Sequence, residues 1–326
     1  MNELVPVDRL EILVLVDNTT DSLSTNPDYV SSEWSSFWTR GRMRPVTGRD
    51  TCCAHHGLAV LVTAHRGGTR RTMLFDAGPE GETFLRNCAA LEVDFGAVDA
   101  VVLSHGHWDH AGGLVDAVRA IAQRRGHGAV PCYLHPGMFA PRATRRSDGS
   151  VRPLGPVPDP GDLERAGARV VVTREAQPIG DRAFWVSGEI PRVTPYETGL
   201  PGQVRRSADD TAWESDPWLV DERFVTVNVR DKGQFVFSAC SHAGIVNVLK
   251  HARERFPDVP LYGAMGGLHL SGNTESVIPQ TVADLGGFGL KLLAPGHCTG
   301  WRATVALANG FGGELVPSAV GKRYVL

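Results

Sequence analysis

The sequence lacks a strong net charge, a long apolar run and an export signal. Its 326 residues carry a formal net charge of −3 at pH 7, so attraction to nucleic acid or to an anionic membrane is not expected. No apolar run approaches the roughly 20 residues that a membrane-spanning helix needs. Residues 1–16 contain no basic segment followed by an apolar core, and they predict a first strand rather than a signal peptide. We therefore expect a cytoplasmic protein that acts on a small-molecule substrate, with no nucleic-acid partner and no membrane contact.

The sequence also lacks a disulfide framework and a serine nucleophile. Among the six cysteines, Cys52 and Cys53 are adjacent and the others are scattered, so reduced thiols are expected. No Gly-x-Ser-x-Gly elbow is present, which argues against a serine hydrolase. A hydrophobic content of 42% in a chain of this length is enough to bury a large core.

The run His105-Gly106-His107-Trp108-Asp109-His110 is the strongest functional signal. It follows an apolar run, Ala100–Leu103, that is typical of a short buried strand. Its side chains therefore lie on a loop leaving a strand end, where a rigid scaffold can direct several imidazoles at one point. Imidazole and carboxylate together suit zinc, iron or manganese better than calcium or magnesium. The alternative is a polar loop whose histidines only cap the next helix, and the spacing favours metal binding.

Strands and helices are predicted to alternate along the whole chain, with no linker between its halves. This organisation indicates an α/β fold, an αββα sandwich of two mixed β-sheets with helices on the outer faces, forming one domain over residues 1–326. The predicted strands are Leu10–Val16, Leu58–Ala64, Thr72–Phe75, Ala100–Leu103, Val130–Leu134, Arg169–Thr173, Ala183–Ser187, Phe224–Val229, Gln234–Ser238, Pro260–Ala264 and Leu290–Leu293. The predicted helices are Glu82–Leu91, Leu114–Arg124, Ile245–Arg255, Glu275–Leu285 and Thr299–Ala308.

The pattern His-x-His-x-Asp-His after a hydrophobic strand resembles the signature of the metallo-β-lactamase superfamily. Phe75-Asp76-Ala77-Gly78 upstream and Gly112-Gly113-Leu114 downstream match the same pattern in the expected order. Other segments are similar to a narrower branch that includes 7,8-dihydropterin-6-methyl-4-(ribofuranosyl)aminobenzene-5′-phosphate synthase and related metal-dependent hydrolases. These segments are Asp17-Asn18, His56-Gly57-Leu58, Ser241–Asn247, Gly266–Leu270 and Pro295–Gly300. The resemblance covers nearly the whole chain, and it implies the metallo-β-lactamase fold and a pseudo-twofold relation between its halves.

Two metal ions are expected where three ligand loops meet. His242 and His297 each follow a predicted strand, as His105 does, so their loops are expected to lie at one edge of the sandwich. We expect zinc, with iron or manganese as alternatives. We assign His105, His107 and His242 to one ion, and Asp109, His110 and His297 to the other.

The sequence departs from the wider superfamily between these motifs. Many members place a metal-bridging aspartate after the strand that corresponds to Gln234–Ser238, whereas this chain has Cys240 there. The third-motif histidine is also missing, and Glu189 stands near its place. Cys240 could ligate a metal as a thiolate or be a small buried residue under the site, and we favour the buried residue.

Supporting residues are assigned from their positions in the motifs. Asp76 is expected to accept a hydrogen bond from a ligand imidazole or a loop amide. Asp109 and His269 are the candidate catalytic residues, and Asn18 and His56 are candidate substrate contacts. His56 and His269 could equally be ordinary hydrogen-bonded residues, and Asn18 could form an Asx-turn. Cys298 is expected to serve in packing.

Three long segments, residues 19–55, 141–161 and 188–221, are predicted to be irregular loops. Aromatic residues are unusual in disordered segments, so Trp34, Trp38 and Trp213 are candidate walls of a substrate pocket. They could instead anchor the loops to the body or form a homodimer contact. Residues 141–161 are expected to be mobile surface.

The chemistry expected from two such ions is hydrolysis of a small ester, lactone, amide or phosphoester by a metal-bound hydroxide. The first alternative is a transferase, as the name of the branch implies, in which an aromatic carbon replaces water as the nucleophile. The second alternative is a ligand-binding protein that retains the fold without turnover. Loops set specificity on such a scaffold, so the motifs leave the substrate open.

Overall fold

The computed structural model of the protein describes residues 4–39, 46–126 and 128–326. No helix within these ranges is long and apolar enough to cross a membrane. The strands are β1 Arg9–Val16, β2 Val30–Ser31, β3 Ala59–Arg66, β4 Thr69–Phe75, β5 Ala100–Val102, β6 Val130–Leu134, β7 Arg142–Arg145, β8 Val151–Pro153, β9 Ala168–Val172, β10 Gln177–Ile179, β11 Phe184–Val186, β12 Gln203–Arg206, β13 Trp213–Ser215, β14 Val225–Val229, β15 Gly233–Phe237, β16 Leu261–Gly267, β17 Leu292–Gly296 and β18 Arg323–Val325. The helices are α1 Glu33–Thr39, α2 Gly81–Ala90, α3 Trp108–Ala111, α4 Leu114–Arg125, α5 Pro160–Ala166, α6 Ile245–Arg255, α7 Ile278–Gly286 and α8 Trp301–Phe311.

Two large mixed sheets organise the chain. Sheet I has the strand order β2-β18-β1-β3-β4-β5-β6-β9, and sheet II has the order β10-β11-β14-β15-β16-β17. In sheet I the run from β4 to β9 is parallel, and in sheet II the run from β15 to β17 is parallel. The remaining neighbours in both sheets are antiparallel.

Three layers of buried apolar side chains hold the sheets and helices together. Phe75 of sheet I and Phe235 and Phe237 of sheet II belong to the layer between the two sheets. A second layer joins the outer face of sheet I to α2, α4 and α5, and a third joins sheet II to α6, α7 and α8. In α4 the buried residues Leu114, Val118 and Ile121 follow the helical period, so one face of the helix packs on the sheet. The predicted αββα sandwich is confirmed.

Every strand and helix predicted from the sequence is present, with ends that differ by no more than three residues. Among the helices, the one predicted from Glu275 has the largest shift of its first residue. Residues 272–277 form a 3-10 helix, and α7 begins only at Ile278. The short elements α1, α3 and α5 were not predicted, since four to seven residues are too few for a helical period to stand out.

The prediction of irregular structure for residues 141–161 and 188–221 was wrong. These segments contribute β7, β8, β12 and β13, which pair as a four-stranded sheet III in the order β13-β12-β7-β8. Val204 of β12 pairs with Ala143 of β7, far away in sequence. The strands are only three or four residues long and rich in arginine, so their local pattern does not alternate clearly. The first segment, residues 19–55, contains β2 and α1, and residues 40–45 of it lie outside the described ranges.

A substitution in the apolar layer between sheets I and II tests whether Phe235 belongs to that layer. Phe235 is fully buried in the central layer, so Phe235→Ala should lower the free energy of unfolding by about 3–5 kcal/mol, because it leaves a cavity. Chemical denaturation followed by circular dichroism measures the change. Val172→Ala on β9, where the side chain is 43% exposed, is the control and should change stability by less than about 0.5 kcal/mol. Equal losses in the two variants would contradict the central position of Phe235.

Candidate metal centre

The side chains singled out in the sequence lie at one edge of the sandwich. The parallel strands of each sheet all end there, and the antiparallel strands β3 and β14 begin there. The residues that follow or precede these strand ends are Asp17 and Asn18 after β1, His56 before β3, Asp76 after β4, His105–His110 after β5, Glu222 before β14, Cys240 and His242 after β15, His269 after β16, and His297 and Cys298 after β17.

Three buried histidines, His105, His107 and His242, form the first group. Their ring centroids lie 4.6 Å, 4.8 Å and 4.9 Å apart for the pairs 105–107, 105–242 and 107–242. Both ring nitrogens of His242 and Nε2 of His107 have no hydrogen-bond partner in the described part of the chain. Buried polar atoms without a partner are costly, and a metal ion in this group would supply one.

The protonation states of the first group suit a metal ion. Burial lowers the pKa of His107 to about 3 and lowers the pKa values of His105 and His242 well below the usual range. All three imidazoles are therefore neutral at physiological pH, which is the form that coordinates a metal. Three imidazoles with one further position open are a ligand set found at catalytic zinc sites.

The second group consists of His110, His297 and Asp109. The Nε2 atoms of the two histidines lie 3.2 Å apart. Asp109 Oδ2 lies 3.4 Å from His297 Nε2 and 3.8 Å from His110 Nε2. The two groups adjoin, because the rings of His105 and His110 are 4.4 Å apart.

Hydrogen bonds fix which ring nitrogen carries the proton in His110 and His297. His110 Nδ1 lies 2.7 Å from Asp76 Oδ2, and a carboxylate can only accept, so Nδ1 donates. Asn18 Oδ1 accepts from the Gly57 amide at 3.1 Å, which identifies it as the amide oxygen, so His297 Nδ1 donates to it at 3.0 Å. If both Nε2 atoms were unprotonated, two lone pairs would face each other, so a cation, either a proton or a metal ion, is needed between them.

The pKa of His110 agrees with this requirement. Burial lowers that pKa, but the carboxylates of Asp109 and Asp76 outweigh the burial and raise it to about 9. Without a metal, a proton therefore supplies the positive charge in the second group, and a divalent ion would replace that proton.

Four buried carboxylates hold the backbone of the ligand loops. Each accepts a hydrogen bond from the amide of a ligand or of its neighbour, and we call them the clamp carboxylates. The contacts are Asp76 with Ser104 N at 2.7 Å, Asp221 with Gly106 N at 2.8 Å, Glu222 with His242 N at 2.7 Å, and Asp17 with His297 N at 2.8 Å.

Gly106 is held from both sides of its peptide unit. Asp221 accepts from its amide, and Arg142 of β7 donates to its carbonyl oxygen at 3.0 Å while also forming an ion pair with Asp221. A Cβ atom at Gly106 would lie 2.6 Å from the Met138 carbonyl oxygen, so no larger residue fits between His105 and His107 without a backbone shift. Sheet III therefore contacts the ligand loop directly.

The sequence prediction missed Arg142, Asp221 and Glu222. A signal for the two acids was present, because they directly precede the strand Val225–Val229, which begins at the edge where its antiparallel neighbour β15 ends. Arg142 had no such signal, since the strand that carries it was not predicted.

Comparison with known proteins agrees with this geometry. A family model described as the metallo-beta-lactamase superfamily matches residues 54–194. The chain is similar to the metallo-β-lactamase superfamily over this region. The matched region contains Asp76 and the whole run His105–His110, and it ends before His242 and His297.

Individual relatives and solved structures match longer parts of the chain. A Methanocaldococcus jannaschii protein named 7,8-dihydropterin-6-methyl-4-(beta-D-ribofuranosyl)-aminobenzene-5′-phosphate synthase is 26% identical over 253 residues, which are 77% of this chain and 83% of the relative. The structure of Tm1679, described as a metal-dependent hydrolase of the beta-lactamase superfamily, matches with a TM-score of 0.69 and 23% identity over 96% of this chain and 98% of the other. YhfI from Bacillus subtilis, a metallo-beta-lactamase fold protein, matches with a TM-score of 0.53 and 13% identity over 98% and 100% of the two chains. The structural matches establish the fold.

For Cys240, metal ligation and burial under the site were the two alternatives. Its side chain is buried, and its Sγ atom lies 3.4 Å from His110 Nε2. Sγ also lies within ligand distance of atoms from both histidine groups. The structure therefore shows burial among the candidate ligands, which is compatible with both alternatives for this residue.

His269, His56 and Asn18 border the two groups. The ring of His269 lies 4.5 Å from that of His242. Asn18 Nδ2 donates to His56 Nδ1 at 3.1 Å, so His56 carries its proton on Nε2, which faces Asp109 Oδ2 at 3.3 Å. The hydrogen bond to Asp109 raises the pKa of His56. His56 is exposed, so it joins the buried second group to solvent.

The other predicted site residues lie elsewhere. Glu189 contacts His135 at 3.2 Å and Arg174 at 2.6 Å, and within the described ranges it makes no contact with either histidine group. Trp34 packs against Phe37, and Trp213 lies under Arg206 at the edge of sheet III. The side chain of Trp38 lies outside the described residues.

Gly106→Ala tests the packing of the ligand loop. We expect the displaced loop to lower the metal content of the purified protein at least tenfold, as measured by elemental analysis, with the fold retained by circular dichroism. Gly286→Ala at the end of α7, where a Cβ atom meets nothing within 4 Å, is the control and should leave the metal content unchanged. A fully loaded Gly106→Ala protein would contradict the tight fit at Gly106.

Asp76→Asn tests the clamp that orients His110. The variant replaces one carboxylate oxygen by an NH₂ group, which cannot accept from Ser104 or from His110 Nδ1. We expect metal affinity to fall about 10–100-fold in a chelator competition. Asp99→Asn, which changes a carboxylate that accepts from Thr72 N away from the site, should not alter the affinity. Equal metal affinities in the two variants would show that Asp76 does not support metal binding.

Proposed function

We propose that this protein is a zinc-dependent hydrolase that acts on a small ester, lactone, amide or phosphoester. The observation that carries the proposal is the pair of adjoining groups at the strand ends: three neutral buried imidazoles beside a carboxylate and two imidazoles whose Nε2 atoms face each other. Such an arrangement fits two divalent ions held close together.

Each of the two groups of residues would hold one ion. His105, His107 and His242 would hold one ion, and Asp109, His110 and His297 would contribute to the other. When bound, two such ions supply a Lewis acid for a carbonyl or phosphoryl oxygen and lower the pKa of water toward about 7. His56 holds a proton on Nε2 beside Asp109 and reaches solvent, so it is placed to give that proton to a leaving group. Asp109 accepts the hydrogen bond from His56 and holds its ring in position.

The comparisons support hydrolysis at the level of the fold. Tm1679, which shares this fold over nearly its whole length, is described as a metal-dependent hydrolase. Fold alone does not carry a reaction from one protein to another, so the site geometry remains the main support.

A transferase is the second candidate, because the relative from Methanocaldococcus jannaschii is named a synthase and covers most of the chain at 26% identity. In that reaction an aromatic carbon would be the nucleophile in place of water. Both candidates use the same ligand residues, and they differ in whether solvent oxygen enters the product.

Activity and metal content should depend on the same residues. We expect about two zinc ions per chain by elemental analysis and turnover of at least one compound in a panel of esters, lactones and phosphoesters. His107→Ala and His110→Ala should each lower kcat/KM at least 1000-fold. His65→Ala, which removes a histidine paired with Glu11 far from the centre, should leave kcat/KM unchanged.

Isotopic labelling separates the two candidates. Product formed in ¹⁸O-labelled water should contain one solvent oxygen if the enzyme is a hydrolase. Turnover without incorporated label would overturn hydrolysis and favour group transfer. Full activity in His107→Ala and His110→Ala would overturn both.

A further inference from the structure

Two thiols, Cys240 and Cys298, face each other beside the second histidine group. Their Sγ atoms lie 3.3 Å apart, and neither cysteine is in a disulfide. Cys240 Sγ lies 3.4 Å from His110 Nε2, and ligand atoms of Cys240, His297 and Cys298 all lie within 4.8 Å of one another. Cys240 therefore lies close to both histidines of the second group and to the second thiol.

The distances among these donors resemble those of a tetrahedral site. With zinc–nitrogen and zinc–sulfur bonds of about 2.05 Å and 2.3 Å, tetrahedral ligands are roughly 3.3 Å apart for two nitrogens, 3.5 Å for nitrogen and sulfur, and 3.8 Å for two sulfurs. The observed separations are 3.2 Å, 3.4 Å and 3.3 Å for His110–His297, His110–Cys240 and Cys240–Cys298. The two sulfurs would have to separate by about 0.5 Å to reach the tetrahedral distance.

The backbone between the two thiols leaves room for both. Cys240 follows β15 and Cys298 follows β17, and β16 passes between them. At the crossing point β16 has Gly267, where a Cβ atom would lie 2.5 Å from Cys298 Sγ and 2.6 Å from the Ala239 carbonyl oxygen. Any other residue at position 267 would displace the Cys298 side chain or the backbone at Ala239.

We propose that Cys240 and Cys298 are thiolate ligands of the second metal ion, together with His110 and His297. The proposal rests on the metal centre of the proposed function and changes the ligand set of its second ion. One ion would have three imidazoles and an open position, whereas the other would be held by four protein donors, two of them soft. Soft sulfur donors favour zinc, cobalt or cadmium over manganese or magnesium at this position. Asp109 would then remain beside the second ion as the acceptor of the hydrogen bond from His56.

Cobalt(II) provides a direct readout, because thiolate-to-cobalt charge transfer absorbs in the near ultraviolet and imidazole ligands give no such band. Reduced metal-free protein would be titrated anaerobically with cobalt(II) alone. We expect a charge-transfer band near 350 nm in the wild-type protein that falls to about half in Cys298→Ser and in Cys240→Ser. It should vanish in the double variant, while the visible d–d bands of the three-histidine site persist and show that the fold is intact.

Cys53→Ser is the matched control, because Cys53 is an exposed thiol outside the cluster, and its band should equal that of the wild type. An unchanged band in Cys298→Ser would overturn the assignment of Cys298. Visible cobalt bands without any charge-transfer band in the wild type would overturn the assignment of both thiols. Neither result touches the proposed hydrolysis, which is judged by solvent-oxygen incorporation. Conversely, a strong band in a protein that hydrolyses nothing would sustain the ligand assignment alone.

Discussion

The hydrogen bond from a ligand-loop amide to a buried carboxylate is the interaction on which the site depends. Asp17, Asp76, Asp221 and Glu222 each accept such a bond, and they come from three strand ends, two in sheet I and one in sheet II. A loop held only by its side chains could turn its imidazoles away from a common point. A loop whose peptide unit is fixed cannot, because a charge-assisted bond to a buried acceptor is costly to break.

The same carboxylates create an electrostatic need that a metal ion would meet. Asp221 is ion-paired with Arg142 and Asp76 with His110, but Asp17 and Glu222 have no ion pair in the described residues, and burial raises the pKa of both. Backbone strain is also present at this edge, where Asp76, Ser241, His269 and His297 adopt positive φ between 46° and 60°. Each such residue costs on the order of 1 kcal/mol or more. Divalent ions bound at this edge would offset the cost of the buried negative charge and the cost of the backbone strain. They would neutralise the charge and hold the strained loops together.

The sequence predicted the scaffold well because the scaffold follows local rules. Apolar runs of the right length marked the strands, a helical period marked the long helices, and histidines after strands marked the edge where the loops meet. Sheet III escaped prediction, since its strands are short and charged and its pairing joins residues about 60 positions apart, such as Val204 and Ala143. Arg142 escaped with it. The contact between Cys240 and Cys298 could not be predicted either, because it depends on the tertiary packing of Gly267 next to Cys298. The two cysteines are far apart in the sequence, and their spacing matches no known motif for a cysteine pair.

Sheet III has a consequence for how specificity could vary on this fold. Its strands come from the long segments 141–161 and 188–221, which connect the elements of the two large sheets. One of these strands, β7, also carries the arginine that fixes Gly106 between two candidate ligands. Arg142 is itself buried and held by Asp221, so a shift of β7 would be passed to the peptide between His105 and His107. A change in these segments that admits a new substrate therefore cannot be independent of the metal centre. It must either preserve the position of Arg142 or replace the contact with the Gly106 carbonyl oxygen by another donor.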